Sequence, residues 1–153
     1  IHTNDAAGGV TRLVDMGVEP FLVAPAVECF IAQRLVRVIC DKCKKEFKSD
    51  KEILKELGVS RLDLSKIKLY EGKGCESCRF TGYKGRTAIY EILVMNEPIR
   101  ERVLKRSSSD QIKKKALSLG MRTLRQDGWE KIKAGITTPG EVIRVTQEES
   151  LEE

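Results

Sequence analysis

The chain has 153 residues, of which 41% are apolar, 33% charged and only 5% aromatic. That length suits one domain of usual size or two small lobes, and the few aromatics leave the core to Leu, Ile, Val and Ala. A net charge of +5 favours acidic partners without choosing among nucleotide phosphates, nucleic acid and an anionic membrane surface.

No apolar run approaches the length that crosses a bilayer, and the opening residues do not read as a signal peptide. The abrupt start "IHTNDAAGG" is expected to be a cut inside a longer protein. The acidic tail "EESLEE" reads as a frayed end or a cloning remnant.

In chain order, "DAAGGVTRLVDMG" predicts a helix capped by Asp5. It places Val10, Leu13, Val14 and Met16 on roughly one face and stops at Gly17. The next, apolar stretch predicts a buried helix over about 20–33, kinked or restarted at Pro25. "RLVRVIC" alternates and is β-branched, so it predicts a strand running into Cys40. A short helix is expected over about 50–58, capped by Ser49 or Asp50 and ended by Gly58, with a further turn over "RLDLSKI". "KIKLYEG" predicts a short strand. "GRTAIYEILVM" predicts a longer one, with Ala88, Tyr90, Ile92 and Val94 alternating against Ile89, Glu91 and Leu93. Four helices complete the chain. The first has Pro98 in its first turn. The second turns Ile112, Ala116, Leu117 and Leu119 inward and stops at Gly120. The third runs through "TLRQDGWEKIKAG", and the last is capped by Thr138 with Pro139 at its first position. The reading is α+β, mostly helical. It divides into 1–39, a middle segment 40–95, a small all-α lobe 96–147 and a tail 148–153.

Four of the five cysteines form two C-x-x-C pairs: Cys40 with Cys43 in "CDKCKKEF", and Cys75 with Cys78 in "GKGCESCRFTGY". Two residues between cysteines let a tight turn aim both sulfurs at one point, and two such knuckles supply the four thiolates of a tetrahedral Zn²⁺ shell. Lys42, Lys44, Lys45, Arg79 and Lys84 favour the thiolate form and offset the charge of the centre. The flanking glycines free the backbone to point N–H groups at sulfur. With every position filled by sulfur, the metal has no open site and is expected to staple the fold, one ion per chain, without catalysing. The gap between the pairs is longer than in the commonest ribbon, and the helix near 50–58 accounts for it. Other readings of four cysteines are a pair of disulfides, buried thiols, an iron–sulfur cluster or a redox dithiol. Nothing else looks secreted, and two spaced knuckles suit zinc better. Cys29 stands alone and is expected to pack in a helix.

The opening "HTNDAAGGVTRLVDMGVEPF" resembles the histidine box and adjoining residues of the type II secretion and type IV pilus assembly motor ATPases of bacteria. The resemblance continues through "AQRLVRVIC", both C-x-x-C pairs, "GYKGRTAIYEIL" and "MRTLRQDGWEKIKAGITTPGEVIRVT", nearly the whole chain. A histidine box followed by a tetracysteine insert separates the assembly motors from the related retraction ATPases, and "DMGVEPFLV" leans toward the type II secretion branch. The resemblance implies that 1–39 ends the tail of a RecA-like ATPase domain and that 40–95 is the zinc arm. It also implies a homohexameric ring on the cytoplasmic face of the inner membrane. That ring would turn ATP and Mg²⁺ chemistry into a push through a membrane platform protein and its assembly partners.

The family's Walker and aspartate boxes lie upstream of its histidine box. No G-x-x-x-x-G-K-[ST] occurs in this chain, so the segment alone is not expected to hydrolyse ATP. By resemblance, His2, the only histidine, lies near the nucleotide phosphates, where an imidazole can sense the γ-phosphate or orient water. Arg86 is placed close to the nucleotide, able to pair with phosphate or stack on adenine; otherwise it forms a salt bridge at a strand end. Arg34 and Arg37 support a subunit interface or a solvated strand face. Lys113, Lys114 and Lys115 meet anionic lipid, a partner or water. The alternative is a stand-alone zinc-ribbon nucleic-acid binder. Against it, acidic residues dilute the charge and no stacking platform is visible.

Overall fold

The fold is described by a computed structural model covering residues 3–48, 51–57 and 67–146. The chain forms two compact units. One comprises Ile1–Gln33 and Tyr90–Leu124; the other comprises Arg34–Ile89 and Arg125–Glu153. Two long strands, β1 (Cys29–Ile39) and β4 (Tyr83–Val94), pair in a two-stranded sheet and each contributes to both units. Among the described residues no helix is long and apolar enough to cross a membrane.

In the first unit, α1 (Ala6–Asp15) starts where Asp5 Oδ1 accepts the Gly8 N–H at 2.7 Å. It ends in a glycine cap: Gly17 takes φ 92, its N–H donates to Val14, and the Val18 N–H donates to Leu13. Helix α2 (Pro20–Ala26) opens on a proline and carries Pro25 in its last turn. The expected helix over 20–33 is therefore shorter. Pro25 has no N–H to give, and from Cys29 the pattern is that of a strand: Phe30, Ala32 and Val36 lie deeper than Cys29, Ile31, Gln33 and Leu35. Cys29 accordingly sits exposed at the head of β1 and not in a helix.

Helix α4 (Glu97–Leu104) is capped by Asn96, with Pro98 in its first turn. Helix α5 (Ser109–Ser118) opens with a reciprocal box between Ser108 and Gln111. The core of this unit is aliphatic: Ala6, Ala7 and Val10 meet Val23, Ala24, Leu93, Met95, Ile99, Val103, Ile112 and Ala116. Leu117 and Leu119, expected inward, are exposed, and so is Met16, expected on one face with Val10, Leu13 and Val14.

In the second unit, β2 (Lys44–Phe47) pairs antiparallel with β3 (Leu69–Gly72), from Lys44 opposite Gly72 to Phe47 opposite Leu69. Helix α3 (Lys51–Glu56) lies between them in sequence and packs on α7 (Pro139–Thr146). Its expected caps Ser49, Asp50 and Gly58, and the turn over 61–66, lie outside the described residues. Helix α6 (Leu124–Lys133) approaches α7 closely: a Cβ on Gly128 would come within 2.5 Å of Val142 Cγ1. Val36, Ile39, Ile89, Ile132, Val142 and Ile143 are buried here. The four C-terminal helices, expected as one lobe, are thus shared out, α4 and α5 to the first unit, α7 and nearly all of α6 to the second.

Candidate metal centre

The knuckles are built by main-chain hydrogen bonds. In the first, the Cys43 N–H donates to Cys40 O at 3.2 Å. In the second, Cys75 precedes a 3-10 turn (Glu76–Cys78), and the Cys78 N–H donates to Cys75 O at 3.1 Å. Further bonds zip the two together: Cys40 N–H to Gly82 O at 2.9 Å, and Lys73 N–H to Cys43 O at 3.1 Å. The end of β3 touches the second knuckle so closely that a Cβ on Gly72 would lie 1.9 Å from Gly82 O. Only glycine fits there.

Folding therefore brings together four sulfurs that lie far apart in sequence. All four Sγ atoms lie within 4.8 Å of one another. Cys40 and Cys75 are 3.9 Å apart, Cys43 and Cys78 3.9 Å, and Cys75 and Cys78 3.8 Å. A disulfide needs about 2.05 Å, and all five cysteines are free thiols. A tetrahedral shell with Zn–S of about 2.3 Å has S···S edges of about 3.8 Å. The four thiols fit a metal ion of that kind.

Backbone donors point at the sulfurs as expected. Gly74 N–H reaches Cys43 Sγ at 3.3 Å, and Cys75 and Gly82 N–H reach Cys78 Sγ at 3.2 and 3.3 Å. Burial opposes a thiolate at Cys78, but these two N–H groups and the neighbouring thiols outweigh it and bring Cys78 down to about 6. At Cys43 burial dominates, against the Gly74 N–H, and pushes the thiol up to about 11. Nearby, Lys44 Nζ lies over the Tyr70 ring at 4.6 Å and Lys84 Nζ donates to Ser77 Oγ at 3.0 Å.

The other expected site residues fall elsewhere. Arg86 is exposed on β4, and His2 lies outside the described residues. Arg37 is neither an isolated strand-face cation nor solvated on all sides. Its Nη2 donates to Glu141 Oε2 at 2.7 Å, and its Nε and main-chain N–H also reach that carboxylate. Arg144 grips the same group through Nε and Nη2, and the Arg37 guanidinium sits 4.2 Å from the Tyr83 ring centre. Burial alone would raise the Glu141 pKa, but Arg144 and Arg37 hold it down at about 2. Sequence reading missed this clamp. The T-x-x-E spacing of Thr138 and Glu141 marks a helix start, and the Thr138 hydroxyl does accept the Glu141 N–H at 3.3 Å. Nothing in the spacing says that the carboxylate turns to Arg37, 104 residues away.

A second buried carboxylate was also missed. Glu91 is fully buried on β4, and its Oε1 accepts the Ala6 N–H at 2.9 Å at the start of α1. Burial raises its pKa; the Ala6 N–H and the charge of Lys113 pull the other way. Lys113 itself pairs with Asp5 at 2.9 Å, so this member of the lysine run is engaged within its own unit.

Against known proteins, residues 1–144 match the family described as type II/IV secretion system protein. The type IV pilus assembly ATPase PilB of Thermus thermophilus is 49% identical over 97% of this chain and 17% of its own length. The type II secretion system protein E of Pseudomonas aeruginosa is 42% identical over 97% of the chain and 29% of its own length. The type II secretion system ATPase E of Vibrio cholerae is 39% identical over the same shares. The chain thus spans less than a third of these relatives, and names from both branches occur at similar identity, so the leaning toward the secretion branch gains no support. The chain belongs to the type II/IV secretion system protein family.

Proposed function

We propose that this chain is the zinc-bearing C-terminal part of a hexameric ATPase that powers type II secretion or type IV pilus assembly. The observation that carries the zinc part is the set of S···S separations of 3.8–3.9 Å among four thiols on two knuckles. Two relatives whose names include the word ATPase, matched over 97% of the chain, support the motor part. Zinc would supply a closed tetrahedral shell and no reactive position. Cys40, Cys43, Cys75 and Cys78 would hold it, Gly74, Cys75 and Gly82 N–H would stabilise the thiolates, and the surrounding lysines would balance the charge.

In the parent protein the phosphate-binding loop and its Mg²⁺ would come from upstream. His2 would face the nucleotide phosphates, and Arg86 would reach the nucleotide from β4. Residues 1–39 would end the RecA-like core. The ring would work beside the inner membrane, against a platform protein. Elemental analysis of the purified chain is expected to give one zinc per molecule; a chain that folds and carries no zinc removes the metal reading. In the full-length parent, His2→Ala is expected to lower ATP turnover while leaving the melting temperature unchanged. Normal turnover in that variant would refute the sensor role.

A further inference from the structure

The chain's positive charge is unevenly placed. Residues 40–48 and 67–86, which carry both knuckles and the β2–β3 ribbon, hold nine Lys/Arg and four Asp/Glu out of 28 and 23 in the whole chain, so the remainder balances at nineteen each. The entire excess of +5 lies in this arm. Four thiolates on a divalent ion return part of that charge and still leave the arm positive.

The backbone of the second knuckle adds an independent observation. After Cys78, two consecutive residues take left-handed conformations, Arg79 with φ 52 and Phe80 with φ 61. Glycine and asparagine accept that region readily, whereas a bulky side chain is strained there. The strain is imposed by the knuckle: Phe80 N–H donates to Cys75 O at 2.9 Å and Thr81 N–H to Cys78 O at 3.2 Å. The ring gains no packing in exchange. Phe80 is 74% exposed, more than any other large apolar side chain described. A side chain that suits neither its backbone nor its solvent points to a role outside the fold.

We propose that the tip of the arm, with Phe80, its neighbour Arg79, and Lys73 and Lys84 on the flanking segments, Lys73 being paired with Glu71 in the free chain, is a docking site for an acidic segment of a protein partner, with the phenyl ring entering an apolar pocket on it. The charge asymmetry selects the acidic partner. The single ring selects a pocket over a bilayer: membrane attachment scales with buried apolar area, and Phe80 is the only exposed large apolar side chain described between 40 and 86. Because the knuckle fixes the backbone, the direction in which the ring leaves the chain is set in advance, which suits an anchor residue. The proposal rests on the four-thiolate reading of the arm.

The test is selection of a random twelve-residue peptide display library on the zinc-loaded chain, followed by binding measurements on the enriched peptides. The expected result is peptides that combine Asp or Glu with an apolar residue. Their binding should fall about tenfold or more with Phe80→Gly and also with the triple change Lys73→Glu, Arg79→Glu, Lys84→Glu. Phe80→Gly suits the left-handed backbone, so it is expected to keep its zinc and to melt at the same temperature or higher. Loss of binding in that variant is then a loss of contact and not of fold. Peptide binding indifferent to Phe80, no enrichment of acidic peptides, or Phe80-dependent retention on phosphatidylglycerol vesicles without peptide binding would each overturn the proposal. Absence of zinc from the unmutated chain would count against the metal reading instead.

Discussion

In the first unit, eleven buried side chains from four helices and the end of β4 form one aliphatic cluster. In the arm of the second, the buried cluster consists of cysteines. The two differ in how a loss spreads. Aliphatic packing is divisible, since each methylene removed costs its own share. A four-thiolate shell is closer to all or none, because ligand geometry and folding are one event. The same contrast appears in the two buried glutamates. Glu141 is surrounded by guanidinium donors and stays charged, while Glu91 has only main-chain donors, at Ala6 and Leu124, and burial pushes it toward the neutral form. Burial does not decide ionisation; the supply of donors does.

The sharpest way to break this comparison is to remove the metal proposed at the four cysteines. Chelation, or Cys75→Ser, is expected to abolish amide protection across β2 and β3, while α1, α4 and α5 keep theirs. Structural zinc sites are worth on the order of 10 kcal/mol, so no partial loss is expected. Hydrogen exchange that leaves β2 and β3 unchanged would show that the arm does not need the ion. Next in size is Ile99→Ala in the first unit, where a fully buried side chain leaves a cavity worth about 3 kcal/mol. Denaturant unfolding should report it, with β2–β3 protection and zinc content unaltered.

Glu141→Gln should cost about 2 kcal/mol at neutral pH, because it weakens two charge-assisted grips. The pH dependence of that cost reflects a carboxylate held at about 2 against an ordinary 4.5. The stabilisation is present above the ordinary value and is lost as pH falls toward the folded one. The gap in melting temperature between the parent chain and Glu141→Gln should therefore close between about pH 4.5 and 2. The smallest effect is expected at Glu91, with the opposite sign. A raised folded pKa means that stability is lost as pH rises through it, so Glu91→Gln should be neutral or stabilising by up to about 1 kcal/mol at pH 7. A loss of several kcal/mol on chemical unfolding would show that the charge itself holds α1 in place.

Local chemistry made much of this legible in advance. Asp5, Gly17, Pro98, Thr138 and Pro139 act at helix ends as their types predict, because capping needs only near neighbours. The cysteine spacing announced a shared point for four sulfurs, which the fold supplies. The alternation of β4 was also readable, but its sense was not: the buried face carries Glu91 while Tyr90, Ile92 and Val94 face outward. That inversion depends on a donor at Ala6, 85 positions away. The length of α2 failed for a local reason, an apolar run that fits a helix or a strand equally well until Pro25 is weighed. The Arg37–Glu141 clamp and the division of the C-terminal helices between units depend on long-range pairing that one sequence does not display.

The meeting of Gly72 with Gly82 has an evolutionary corollary. With one peptide group resting on another, the separation of ribbon and knuckle is fixed at the thickness of the main chain, and neither position can accept even a methyl group. Variation must then flow into the stretch between Phe47 and Leu69, where β2 ends and β3 begins. That stretch carries no sulfur ligand and, apart from α3, which packs on α7, is expected to tolerate exchange. It is the natural place for lineages to diversify and for a protein engineer to graft.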